Sequence, residues 1–374
     1  ISRIDECIHA PPRTLLSTPT LPPSDTTSSD VQWTDSGRRA AFEAWFQAVA
    51  AEHGVLASSL TPASADASFR RYLRAQSADG QRSLIVMDAP PPQEDVRPFV
   101  HIARQMEQAG LPGPRVLEAD ESQGFVLLND LGSRLLLNEL NASTAEQADA
   151  LMRQVGTSLV RWQVGMPSAG LPPYDQALLE RELALFPEWC VSREFGVQWN
   201  DAQNQAWSAV CKRLIDSALS QPTVAVHRDW MPRNLMLCEG ELAILDFQDA
   251  VRGPITYDVA SMLRDAFISW DEEREIDWAV RYWEQARAAG LPVQEDFGEF
   301  WRALEWMGLQ RHLKVLGIFC RLKHRDAKPR YAQDLPRFFA YATKVALRYR
   351  ELAPLMPLIE PLSGFALEQG YTLR

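Results

Sequence analysis

The chain has 374 residues, 46% of them hydrophobic and 23% charged, with a formal net charge of −11. This is enough chain for two lobes, each with its own core, and it excludes a disordered polymer. No apolar run approaches the roughly 18 residues of a membrane span. The acidic balance speaks against a nucleic-acid or anionic-membrane partner.

Residues 1–30 are rich in Pro, Ser and Thr without periodicity, and we expect residues 1–35 to form a disordered leader. A helix is predicted over 36–53, with Phe42, Trp45, Phe46 and Val49 on one face. Strands follow over 69–75 and 83–87, with Asp79-Gly80 as a hairpin signal between them. A helix over 94–109 stops at Gly110 and Pro112, and two more strands are expected over 115–118 and 125–128. After Asp130 helices dominate, over 143–164, 175–190 and 200–219. Short strands surround one segment, over 224–226, 235–238 and 242–245. The rest is helical, and its tryptophans (Trp270, Trp278, Trp283, Trp301, Trp306) read as core anchors. The fold class is therefore α+β, with an antiparallel sheet holding one long helix and then a larger helical part. We divide it at 36–130, 131–350 and a C-terminal extension over 351–374.

The five cysteines (Cys7, Cys190, Cys211, Cys238, Cys320) are scattered and form no metal-ligand spacing. They read as free thiols of a reducing compartment, and we expect a cytoplasmic protein.

The informative stretch is residues 223–250, TVAVHRDWMPRNLMLCEGELAILDFQDA. A β-branched run leads into His227-Arg228-Asp229. Asn234 lies five residues beyond Asp229. Two short apolar strands, joined at Glu239-Gly240, then deliver Asp246. Phosphoryl transfer needs an acceptor for the attacking hydroxyl's proton and oxygen ligands for a magnesium ion on the phosphates. Asp229 fits the first role, and Asn234 and Asp246 fit the second. The tripeptide alone would not carry this reading, since His324-Arg325-Asp326 repeats it. That copy has no strand before it and Tyr331 where the asparagine would fall, so it reads as a solvated helix end.

The segments His227–Asn234 and Leu245-Asp246-Phe247, and Gly253-Pro254 followed by Tyr257-Asp258-Val259-Ala260, resemble the aminoglycoside phosphotransferase and choline kinase superfamily. The resemblance covers nearly all of residues 36–350. It implies a protein-kinase-like bilobal fold, ATP and Mg2+ as cofactors, and a structural role for His227. It also implies that Asp258 braces the catalytic loop by accepting backbone N–H bonds. The strings ADASFRRY, LIVMDAPP, LPGPRVLEAD, HRDWMPRNLM and LKVLGIFCRL are similar to one subgroup, the bacterial amino-sugar anomeric kinases of cell-wall recycling. That likeness implies phosphorylation of the C1 hydroxyl of N-acetylmuramate and N-acetylglucosamine. The partner is then a small amino sugar, and we expect a monomer. An aminoglycoside or choline kinase, or a pseudokinase scaffold, is the alternative.

The phosphate-gripping half departs from the kinase pattern. The turn over 63–68 has no glycine, which leaves Ser68 as a hydroxyl donor, and no lysine precedes Lys212. Arg70 and Arg71, on opposite faces of their strand, are the candidates to replace the lysine, because a guanidinium fork pairs phosphate oxygens. Residues 125–131 are expected to form the inter-lobe hinge, with Asn129 and Leu131 at the adenine edge. Muramate is an anion, so Arg233, Arg264 and Arg311 are the candidate substrate residues.

Overall fold

A computed structural model describes residues 31, 33, 35–65 and 69–364. The leader expected over 1–35 and Ser68 lie largely or wholly outside these residues. Helix α1 runs Ser36–His53. It starts where the Asp35 carboxylate accepts the amides of Gly37 and Arg38, and it ends at Gly54 with φ of 66°. An acidic cap and a left-handed glycine are the usual start and stop of a helix.

The strands β1 (Thr61–Ala65), β2 (Arg71–Gln76), β3 (Ser83–Asp88), β4 (Val116–Asp120) and β5 (Phe125–Asn129) form one sheet in the order β1-β2-β3-β5-β4. All its neighbours are antiparallel. Helix α2 (Arg97–Gln108) is inserted between β3 and β4. Strand β1 was not expected: it lies at the edge, holds Pro62 and lacks an apolar alternation.

Period-two alternation gives the sheet two apolar faces. Leu73, Ala75, Val86, Phe125 and Leu127 pack on Phe42 and Phe46 of α1. Met87, Val126 and Leu128, with Tyr72 and Ile85 beside them, face α2 and join a core that continues into the helical part. The rings of Phe99 on α2 and Phe247 stack at 4.9 Å across that junction.

The helical part comprises α3 (Leu136–Ala142), α4 (Ala145–Gly165), α5 (Gln176–Leu183), α6 (Asp201–Leu219), α7 (Tyr257–Leu263), α8 (Glu272–Ala288), α9 (Phe297–His324), α10 (Leu335–Arg348) and α11 (Met356–Ser363). The helix expected over 175–190 is broken: α5 ends at Leu183 and a π-helical stretch occupies Phe186–Glu194. Helix α9 is buried nearly all round between Leu304 and Cys320. It passes so close to the turn after α5 that a Cβ at Gly317 would lie 2.4 Å from the carbonyl carbon of Leu185. Residues up to Leu362 pack in this helical core, including Leu352, Leu355, Leu358 and Ile359 of the expected extension. Trp270, Trp278, Trp283, Trp301 and Trp306 all lie in or against the cores. The second His-Arg-Asp copy sits at the end of α9, where His324 pairs with Glu194 at 2.6 Å.

Two small hairpin-like pairs carry the motif segment. Strand β6 (Thr223–Val226) pairs with β9 (Val251–Pro254), and β7 (Leu235–Cys238) with β8 (Glu241–Ile244). The β7–β8 turn has positive φ at both Glu239 and Gly240, as a type I′ hairpin turn requires. No helix among the described residues is long and apolar enough to cross a membrane. Cys190, Cys211, Cys238 and Cys320 are free thiols.

Candidate active site

Strand β6 ends at Val226, and the chain then turns sharply. Arg228 has φ of 76°, a left-handed conformation that costs a bulky residue about 1–2 kcal/mol. Such a conformation persists only where the surroundings hold it. Asp258, in the first turn of α7, is one such hold: its carboxylate accepts the amides of His227 at 2.7 Å and Arg228 at 2.9 Å. Burial pushes this carboxyl up to about 7, against the pull of those two donors and of Arg311.

His227 is a second hold. It is 1% exposed, with its ring edge-on to Trp162 and Trp230. Burial lowers its imidazole to about 4, against the opposing influence of Asp229, so it is neutral at physiological pH. The Asp229 amide lies 3.3 Å from Nδ1. An amide can only donate, so Nδ1 accepts and the proton sits on Nε2. Nε2 then donates to the Leu245 carbonyl at 2.9 Å, one residue before Asp246. A single neutral ring thus fixes the loop of Asp229 to the chain leading into Asp246.

Asn234 closes the arrangement. Its Nδ2 donates to the Asp229 carbonyl at 3.0 Å and lies 3.5 Å from Asp246 Oδ2. Both uses fall on the nitrogen, so Oδ1 is left as an oxygen donor beside a carboxylate. Asp246 also has a left-handed backbone, with φ of 60°, and accepts from Gln248 Nε2 at 2.8 Å through Oδ1. An amide oxygen and an exposed carboxylate are the hard ligands a magnesium ion takes. No cluster of three His, Cys, Asp or Glu among the described residues could cage a metal. The donor set therefore suits an ion that completes its shell with waters and phosphate oxygens.

The structure brings Asp229, Asn234, Asp246, His227 and Asp258 together. The arginines separate. Arg70 lies on the Tyr72 side of the sheet and pairs with Glu94, Nε to Oε2, at 3.0 Å. Arg71 is on the α1 side: it pairs with the buried Asp88, shared with Arg38 of α1, and its guanidinium lies 4.0 Å from the Trp33 ring centroid. Asn129 ends β5 with its side chain accepting the Arg115 amide at 2.6 Å, and Leu131 follows in the connection to α3.

Arg264 is buried and ion-paired with Glu275 at 3.1 Å and Glu305 at 2.9 Å. Arg311 is 2% exposed and acts electrostatically on Asp258 and Asp265. Arg233 is different. It is half-buried beside Asn234, with its guanidinium 5.1 Å from the Phe267 ring centroid. Two further side chains touch this centre: Gln248, already described, and Glu182 of α5, which holds the Arg228 guanidinium at 2.8 Å.

A family model for a phosphotransferase enzyme family matches residues 59–312. An N-acetylmuramate/N-acetylglucosamine kinase of Pseudomonas putida is 51% identical over 312 residues, covering 83% of this chain and 91% of the relative. One of Neisseria meningitidis is 47% identical over 330 residues, covering 88% and 97%. Among solved structures, a choline kinase from Streptococcus pneumoniae aligns with a TM-score of 0.58 at 12% identity, over 82% of this chain and 99% of that one. An ADP-bound aminoglycoside phosphotransferase aligns at 0.56 and 13%, over 80% and 97%. These two likenesses concern the fold, a kinase-like arrangement of a small antiparallel sheet and a larger helical part.

Proposed function

The chain belongs to the phosphotransferase enzyme family, and from that premise we propose ATP-dependent phosphorylation of the C1 hydroxyl of N-acetylmuramate and N-acetylglucosamine, in peptidoglycan recycling. The observation that carries the reading is the Asn234 side chain, which ties the Asp229 loop to Asp246. Relatives of about half identity that bear the amino-sugar kinase name support the choice of substrate.

In this reading Asp229 orients the sugar hydroxyl and accepts its proton. The hydroxyl oxygen bonds to the γ-phosphorus as the bond from that phosphorus to the β–γ bridging oxygen breaks, and ADP leaves. Asn234 Oδ1 and Asp246 would hold magnesium, which would neutralise charge on the phosphates. The anomeric hydroxyl is more acidic than an ordinary alcohol, because the ring oxygen withdraws electron density. A carboxylate is then a sufficient base. His227 and Asp258 keep the loop in place. Arg70 is the favoured phosphate cation, since it shares the sheet face of Tyr72, and the backbone near Asn129 and Leu131 takes the adenine edge. Turnover of both sugars with magnesium-ATP, and none with an aminoglycoside, is the expected outcome of an ADP-release panel. The reverse pattern would sink the substrate assignment.

Arg233 is the favoured contact for the muramate carboxylate, as Arg264 is ion-paired in the core and Arg311 is buried. N-acetylglucosamine lacks that carboxylate. The variant Arg233→Met is therefore expected to raise KM for N-acetylmuramate by about 10- to 100-fold, the effect of losing one charge-assisted pair. KM for N-acetylglucosamine stays within about threefold. Equal increases for both sugars would remove Arg233 from this role.

A further inference from the structure

Glu182 is a heavily partnered carboxylate near the Asp229 loop, and the reaction as proposed gives it nothing to do. It is 5% exposed, on the buried face of α5 between Leu179 and Leu183. Its Oε1 accepts from Arg228 Nη2 at 2.8 Å and Lys314 Nζ at 2.9 Å. Its Oε2 accepts from the Tyr174 hydroxyl and from Gln310 Nε2 at 3.1 Å. A carboxylate has about four lone-pair sites, and all are occupied. The partners come from four places: the segment before α5, the turn after β6, and two consecutive turns of α9.

The turn after β6 explains why this convergence matters. Asp258 fixes the amides at His227 and Arg228 but leaves the Arg228 side chain untouched. The left-handed φ of Arg228 is what swings Asp229 away from the line of β6. A long side chain pinned at its tip resists the rotation that would relax that φ. Tyr174 is pinned in turn, since a Cβ at Gly253 would lie 2.8 Å from the Tyr174 Cβ. The backbone of Tyr174 also bonds to Arg252 of β9, the strand beside β6.

We propose that Glu182 is a positioning residue for Asp229, acting through the Arg228 guanidinium to hold the turn after β6 in its left-handed form. Lys314 is its charge partner, with a second bond to the Tyr257 hydroxyl at 3.0 Å. The inference rests on the phosphotransfer reading for its kinetic consequence, but its geometric consequence stands apart from any substrate.

The test must separate anchoring from folding, because Glu182→Gln alone leaves two half-buried cations without their carboxylate. The double variant Glu182→Gln/Lys314→Met removes one charge of each sign, and Lys314→Met alone keeps the Glu182–Arg228 contact. Amide exchange of the 227–229 segment is expected to quicken about tenfold or more in the double variant and to match wild type in Lys314→Met, with exchange in α4 unchanged in both. With either sugar, kcat of the double variant is expected to fall about 100-fold, the cost of an ångström-scale misplacement, while KM stays within about threefold. Lys314→Met holds kcat within about fivefold of wild type. Equal exchange and equal kcat in the two variants would overturn the positioning role. Wild-type protein inactive on both sugars would defeat the substrate reading instead, and the exchange comparison would still decide this one.

Discussion

Asp229→Asn is expected to lower kcat by about 10³- to 10⁴-fold, the upper range for loss of a general base, while nucleotide affinity stays within about threefold. The asparagine keeps the size and most of the shape of the aspartate. The contacts that hold position 229 use its backbone: its amide faces His227 Nδ1 and its carbonyl accepts from Asn234. The substitution therefore leaves the loop in place and removes only the proton acceptor. Binding is measured by calorimetry with magnesium-ADP and turnover by ADP release with N-acetylmuramate. Unchanged kcat would take the base role away from Asp229. Loss of nucleotide binding together with kcat would make it part of the phosphate site.

The second large effect is expected at Asp246. Asp246→Asn should lower kcat/KM by about 10³-fold, which corresponds to about 4 kcal/mol of lost charge stabilisation. It should also shift the magnesium dependence of turnover to about tenfold higher concentration. The physical reason has two parts. One anionic ligand is lost, and the new amide sets an N–H pair against a donor, either Gln248 Nε2 or Asn234 Nδ2, that now faces the carboxylate. A magnesium midpoint identical to wild type would show that Asp246 does not hold the ion.

The motif segment over 223–250 was legible as a structural unit because its signal is local. A strand, a tripeptide, an asparagine five residues on and a two-residue hairpin lie within 28 residues, and each part has a short-range reason. Strands β7 and β8 fall almost where apolar runs and Glu239-Gly240 put them. Strand β9 was missed: it is four residues long, contains Gly253 and Pro254, and is held by β6 on one side and by the backbone at Pro172 and Tyr174 on the other.

The arginines show a different boundary. Alternation separates Arg70 from Arg71, but which face meets α1 is settled by tertiary packing. Arg264 was a candidate substrate residue on its charge alone. Its partners, Glu275 and Glu305, are 11 and 41 residues away, on other helices. Glu182 had one usable signal. It shares the apolar stripe of α5 with Leu179 and Leu183, and an acid in that position calls for buried cations. Naming those cations required the fold, because Arg228 and Lys314 lie 46 and 132 residues downstream.

Phosphorylation of an amino sugar at C1 by the His227–Asp246 centre would leave a direct mark on the product. Phosphorus NMR of the product formed from N-acetylmuramate and magnesium-ATP tests it most directly. The expected product shows a phosphorus resonance coupled to the anomeric proton, the mark of a sugar 1-phosphate. A phosphorus coupled to the C6 protons, or ATP left unconsumed with both sugars, would contradict it.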